Sequence, residues 1–456
     1  MTTTQPIDTD TGGPEAPVRT ESDGAMTTGQ WVRLGILAAL LVLLTATNGL
    51  WGLVVVIGIV AMVFFHELGH FIAAKRAGMM VTEFFIGFGP RIWSFRRGET
   101  EYGLKVIPAG AYVKIIGMHN LEEVDAADEG RSYRQGRFRD RFAVVTAGVG
   151  MNFLLALMLI WGVLAVTGTS GGSLTEKPDE SKWVIGQVYP GSGAAAAGIV
   201  AGDKIVAVDG TPVDEFNDLG PLVKADLGTV DVSVRTAERT RVVPVELREF
   251  TAEDGSIACC LGIQNDLPDA AVRRVNPVTA VPQSFKELGV IGVESVKALG
   301  RFFSPDGLRD FGGQVANAGD DREAAREPAS SGSGASGGRV ARDEQTGENR
   351  LISLIGVFRI GTQAAESGVT GLLVLFALLN TFLGIMNLLP LLPFDGGHAV
   401  IAVYERVQEW RRHQRARYFA DVSRLLPLTY VVVLVLAGIF VTTTYLDLAN
   451  PLQLPE

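Results

Sequence analysis

The sequence is poor in the residues that staple or solvate an ordinary soluble protein. Its two cysteines, Cys259 and Cys260, are adjacent. Neighbouring cysteines rarely bridge, which excludes a disulfide framework and a cysteine-type zinc cluster. Charged residues make up 20% of the chain, against about 25% in soluble domains. The net charge of −10 excludes a nucleic-acid partner held by bulk charge. Histidine is scarce, with five in all: His66, His70, His119, His398 and His413. Residues 1–30 have no apolar run, and no basic stretch leading to a small-residue cleavage site. They read as a disordered tail, and a cleaved signal peptide is not expected.

Hydrophobic residues, by contrast, make up 47% of the 456. From Trp31 to Ala74 the chain is almost wholly apolar. As one helix this run would extend about 66 Å, twice a bilayer core. A break at 45–49 is expected, with a helix at 32–47 that spans or lies re-entrant and a transmembrane helix at 51–76. Further spans are expected at 142–168, 369–397 and 427–447. The basic residues of 77–141 and 398–426 place both segments in the cytoplasm by the positive-inside rule. Parity then puts 169–368 outside the cell membrane.

At the inner end of the 51–76 helix stands His66-Glu67-Leu68-Gly69-His70. Histidines at i and i+4 share one helix face, so both imidazoles can reach one Zn²⁺. Glu67 sits where it can take a proton from water at that metal. The pentapeptide also arises by chance. Three polar residues in an apolar membrane helix, however, are costly and point to function.

The 369–397 run ends in Asn387-Leu-Leu-Pro390-Leu-Leu-Pro393-Phe-Asp395-Gly396-Gly397. Asp395 is a third metal ligand or an acid in a helix-stop turn. Topology puts it at the same membrane face as His66 and His70. Three protein ligands would leave a fourth position for water, as catalytic zinc sites do.

The two motifs together resemble the double signature of the site-2 protease family of intramembrane zinc metalloproteases, over about residues 50–450. The bacterial branch that cleaves membrane-bound anti-sigma factors is the most similar. The resemblance implies Zn²⁺ held by His66, His70 and Asp395, with Glu67 as catalytic base. It implies that Asn387 holds substrate or stabilises the oxyanion, where a helix–helix hydrogen bond is the simpler alternative. Asn152, four residues after Gly148, matches a family GxxxN and would orient the site or gate substrate. Gly148 and Gly150 read first as helix-packing positions. The implied substrates are single-span membrane proteins, anti-sigma factors and signal-peptide remnants among them, cut after a first extracytoplasmic cleavage. Two other classes are a non-catalytic membrane scaffold, which the intact Glu67 disfavours, and a metal transporter. The transporter would need more polar residues in the remaining spans.

The expected fold is therefore a polytopic α-helical membrane protein. Four core spans carry an additional N-terminal helix, a cytoplasmic-side β-hairpin segment and one extracytoplasmic PDZ-like α+β domain at 183–266. The hairpin centres on Arg96-Arg97-Gly98-Glu99. The resemblance implies a membrane-associated hairpin that presents an edge to extended substrate; a small structural sheet is the simpler reading. Residues 282–310 read as an amphipathic membrane-proximal segment and 311–350 as a flexible low-complexity linker. His119 falls in a charged loop with no spacing that supports metal binding.

Overall fold

The computed structural model describes residues 27–118, 122–176, 182–223, 228–236, 239–251, 257–266, 272–324, 353–366, 368–412 and 417–449. Among these, four helices are long and apolar enough to cross a membrane. They are α1 (Thr28–Arg76), α2 (Phe138–Gly162, continued by a wider turn to Thr167), α8 (Val369–Asn387) and α10 (Leu426–Ala449).

α1 contains one non-helical residue, Gly49, with φ 66° and ψ −174°. A left-handed φ is accessible to glycine at little cost. The expected break is thus a single residue, and it leaves arms of about 30 and 40 Å. Arg33 in the first arm donates to the Arg91 carbonyl at 2.7 Å. Arg91 belongs to the sheet that packs at the HExxH end of the second arm. The kink at Gly49 therefore lets the first arm reach the sheet that follows the second.

The segment after α1 is a bent hairpin, β1 (Val81–Arg97) and β2 (Thr100–Ile115), closed at Gly98 and Glu99. Residues 83–86 of β1 have partners on both sides, 111–114 on one and 101–104 on the other. Two bent strands thereby make a sheet four segments wide. Its base joins a buried cluster of Ala74, Met79, Val81, Ile115, Tyr133, Val144 and Val145. That cluster locks the end of α1, the sheet and the start of α2 together.

The segment between α2 and the later spans opens with β3 (Thr169–Ser170) and closes with β12 (Val272–Arg273), which pair with each other. Between them lie β4 (Val184–Val188), the short helix α3 (Gly193–Ala196), β5 (Lys204–Val208), β6 (Thr211–Pro212), α4 (Leu219–Val223), β7 (Thr229–Thr236), β8 (Arg239–Glu246), β9 (Arg248–Thr251), β10 (Ile257–Cys260) and β11 (Ile263–Asp266). The main sheet has the order β6-β5-β7-β8. Alternating apolar residues such as Val230, Val232 and Val234 feed a core with Trp183, Ile185, Ile205 and Val245.

α5 (Pro277–Phe302) and α6 (Pro305–Ala324) follow. α6 runs well into the segment expected to be a linker, because Pro305 starts it and no proline interrupts it. α7 (Leu354–Glu366) is a helix the sequence reading did not anticipate. Its Gly361 lies against Val55 of α1. α8 stops at Asn387, short of the expected span end at 397, because Pro390 and Pro393 cannot continue a helix. Asp395 instead opens a new helix, α9 (Asp395–Arg412).

Candidate active site

α1 presents His66 and His70 one turn apart, both nearly fully buried. The close approach of α2 depends on glycine. A Cβ on Gly69 would lie 3.1 Å from the Gly148 Cα. α9 contributes Asp395 at its first position, where Gly396 and Gly397 press against the backbone of 388–392.

Three atoms converge. His66 Nε2 and His70 Nε2 are 3.3 Å apart. Each lies 3.2 Å from Asp395 Oδ2. Tetrahedral zinc with bonds of about 2.0–2.1 Å requires ligand atoms roughly 3.3 Å from one another. The triangle has those dimensions before any ion is placed in it. Asp395 Oδ2 is also a buried oxygen without a hydrogen-bond partner among the described residues, which a cation at the centre would satisfy. The donor set therefore fits zinc.

α2 supplies the groups behind the histidines. The Val144 carbonyl lies 2.8 Å from His70 Nδ1. A carbonyl only accepts, so that nitrogen carries the proton and Nε2 is free for metal. The Asn152 amide lies 3.1 Å from His66 Nδ1 and is fully buried. Between them, a Cβ on Gly148 would sit 2.7 Å from His70 Cε1 and 2.8 Å from His66 Cε1. Gly148 thus makes room for both imidazoles, beyond the packing role expected of it.

Glu67 Oε2 accepts from the Val113 backbone N–H at 3.1 Å. Asn387 is half-buried as the last residue of α8, and it is not among the hydrogen-bond partners of His66 and His70 in the described residues. His398 lies in the first turns of α9, outside the metal-binding group. His119 lies outside the described residues. Val113 and Val144 act through backbone atoms, which every position carries, so no sequence signal marked them.

The sheet is tied to the inner end of α1 by charge. Glu99 receives Lys75 Nζ and Arg131 Nη2, each at 2.6 Å. The Lys75 hydrogen bond, reinforced by Arg131, holds the Glu99 carboxyl below its ordinary range against the opposing cost of burial. On the other side, Arg141 of α2 pairs with Glu405 of α9 at 2.6 Å, both mostly buried. Glu405 also accepts from the Ala420 N–H at 2.7 Å.

Comparison with known proteins matches the sequence to peptidase family M50, the site-2 proteases, whose sequence model covers residues 54–430. The chain belongs to that family. Its relatives include the zinc metalloprotease Rip1 of Mycolicibacterium smegmatis, 32% identical over 423 residues, covering 87% of this chain and 97% of the relative. Rip1 of Mycobacterium tuberculosis is 33% identical over 420 residues, covering 85% and 95%. Rip1 of Mycobacterium bovis gives the same figures, 33% over 420 residues. This M50 chain is accordingly a zinc metalloprotease with several apolar, membrane-crossing helices.

Proposed function

We propose that this M50 protease cuts the transmembrane segments of single-span membrane proteins, with anti-sigma factors and signal-peptide remnants as substrates. The cut follows a first cleavage outside the membrane. His66, His70 and Asp395 are the zinc ligands, and Glu67 is the catalytic base. The observation that carries the reading is the zinc-sized triangle of His66, His70 and Asp395 at the end of a membrane helix, with Glu67 beside it.

Zinc, when bound, supplies Lewis acidity towards water and the scissile carbonyl. Glu67 removes the proton from the attacking water and returns it to the leaving amine. The Val113 N–H holds the carboxylate between these transfers. The Asn387 amide donates to the oxyanion that develops on the carbonyl. Asn152 acts on His66 and not on substrate.

A transmembrane helix must unwind before it is cut, because its carbonyls are bonded within the helix. The outer edge of β2, which carries Val113 next to Glu67, offers an extended segment a strand to pair with. The basic loops set the active site near the cytoplasmic face of the plasma membrane and the PDZ-like unit outside. That unit selects substrates already trimmed.

The test compares wild type with Glu67→Gln, both purified full length in detergent with zinc quantified. Each is given a membrane substrate with a helix-destabilised span. The reading expects about one zinc in each protein and cleavage by wild type alone. A folded wild-type protein that took no zinc would replace the protease by the scaffold reading.

A further inference from the structure

Metal binding through Nε2 fixes where the other proton of each histidine must be. A neutral imidazole has one N–H, so a ring that offers Nε2 to a cation carries its proton on Nδ1. For His70 the structure provides the matching acceptor, the Val144 carbonyl at 2.8 Å. For His66 the group at Nδ1 is the side-chain amide of Asn152, at 3.1 Å.

Asn152 Nδ2 faces His66 Nδ1, and Oδ1 is buried without a hydrogen-bond partner among the described residues. The two ends of an amide differ by one proton-bearing atom and are assigned from their hydrogen bonds. With Nδ2 towards the ring, His66 Nδ1 would have to accept, the proton would sit on Nε2, and the metal face would be blocked. Only the amide oxygen is compatible with His66 as a ligand.

We infer that Asn152 is a positioning residue whose Oδ1 accepts the His66 Nδ1–H and so fixes the tautomer that binds metal. Val144, Gly148 and Asn152 stand at i, i+4 and i+8 on one face of α2. One stripe of one helix therefore orients His70, clears space for both rings and orients His66. This rests on the protease reading for the identity of the ligands, but it assigns Asn152 to the metal rather than to substrate.

The experiment measures zinc affinity of the full chain in detergent by competition with a chelating dye, for wild type, N152A, N152D and N152L. Aspartate only accepts, so N152D keeps the bond and binds zinc at least as tightly as wild type. N152A and N152L lose it and bind about 10–100-fold more weakly. Cobalt-loaded wild type and N152D share their absorption bands, while those of N152A and N152L are displaced. N152L fills the volume that N152A empties, so agreement between them separates loss of the bond from loss of packing. Equal affinity for wild type and both apolar variants would overturn the inference. So would N152D binding as weakly as N152A, because an acceptor at that position would then not restore metal binding. Failure of wild type itself to bind zinc would sink the protease reading first, an outcome distinct from loss confined to the variants.

Discussion

The backbone N–H of Val113 donates to Glu67 Oε2 at 3.1 Å across 46 residues of sequence. One partner lies on the HExxH helix and the other on the sheet that follows it. The sheet edge and the Glu67 carboxylate are thus one unit, and a strand laid along that edge would arrive beside the proposed base. A hydrogen bond to a charged group contributes about 1.5–3 kcal/mol. Val113→Pro removes the donor and leaves the side of the strand that faces its neighbour. Cleavage is expected to slow by about 10–100-fold, with zinc content unchanged, as read by steady-state rates and metal analysis on the same preparation.

Two glycines two residues apart in α2 give an internal control. At Gly148 an added methyl meets the rings of both His66 and His70, whereas at Gly150 nothing lies within 4 Å. Gly148→Ala should weaken zinc binding on the order of tenfold or more. Gly150→Ala should leave it unchanged. Equal effects would show that general helix packing, rather than contact with the imidazoles, governs this part of α2.

The Arg141–Glu405 pair is expected to hold Asp395 indirectly. α9 starts at Asp395, and Glu405 fastens that helix to α2 and to the Ala420 N–H. Breaking one side of a buried pair costs about 3–5 kcal/mol, whereas replacing both by apolar residues is often neutral. Arg141→Met should lower the melting temperature and the zinc affinity together. The double variant Arg141→Met/Glu405→Leu should recover most of both.

Glu99 gives a pH signature. Its carboxyl titrates below the ordinary value of 4.5, chiefly because Lys75 hydrogen-bonds to the ionised form. A depressed folded value means the stabilisation is complete above pH 4.5. It fades as pH falls through the lower folded value, once the unfolded chain is protonated. The difference in melting temperature between wild type and Glu99→Gln should therefore be constant from pH 7 to about 5 and shrink towards zero below about 4. A partly exposed cluster of this kind contributes about 1 kcal/mol at most.

Some of this protein was readable along the chain because the signals are local. The i, i+4 spacing of His66 and His70 follows from helix pitch, and the apolar runs follow from bilayer thickness. Gly98-Glu99 closes the hairpin where turn residues interrupt strand formers. Asp395 stood out as an acid beside two glycines after an apolar run. It was expected at the end of a span reaching 397, whereas α8 ends at Asn387 and Asp395 is the first residue of a new helix, since two prolines intervene.

What the tertiary structure decided are relationships between segments. No local pattern specifies that residues 83–86 pair on both sides, because register depends on how each strand bends. The break in the first apolar run was expected, yet the return of Arg33 to Arg91 depends on the backbone angles of one residue, Gly49. The Val113 and Val144 contacts involve backbone groups that all residues share. Composition and periodicity therefore settled that this chain crosses membranes and carries a metal motif. Only packing, which brings α1, α2 and α9 within hydrogen-bond distance, settled which atoms hold and orient the histidines.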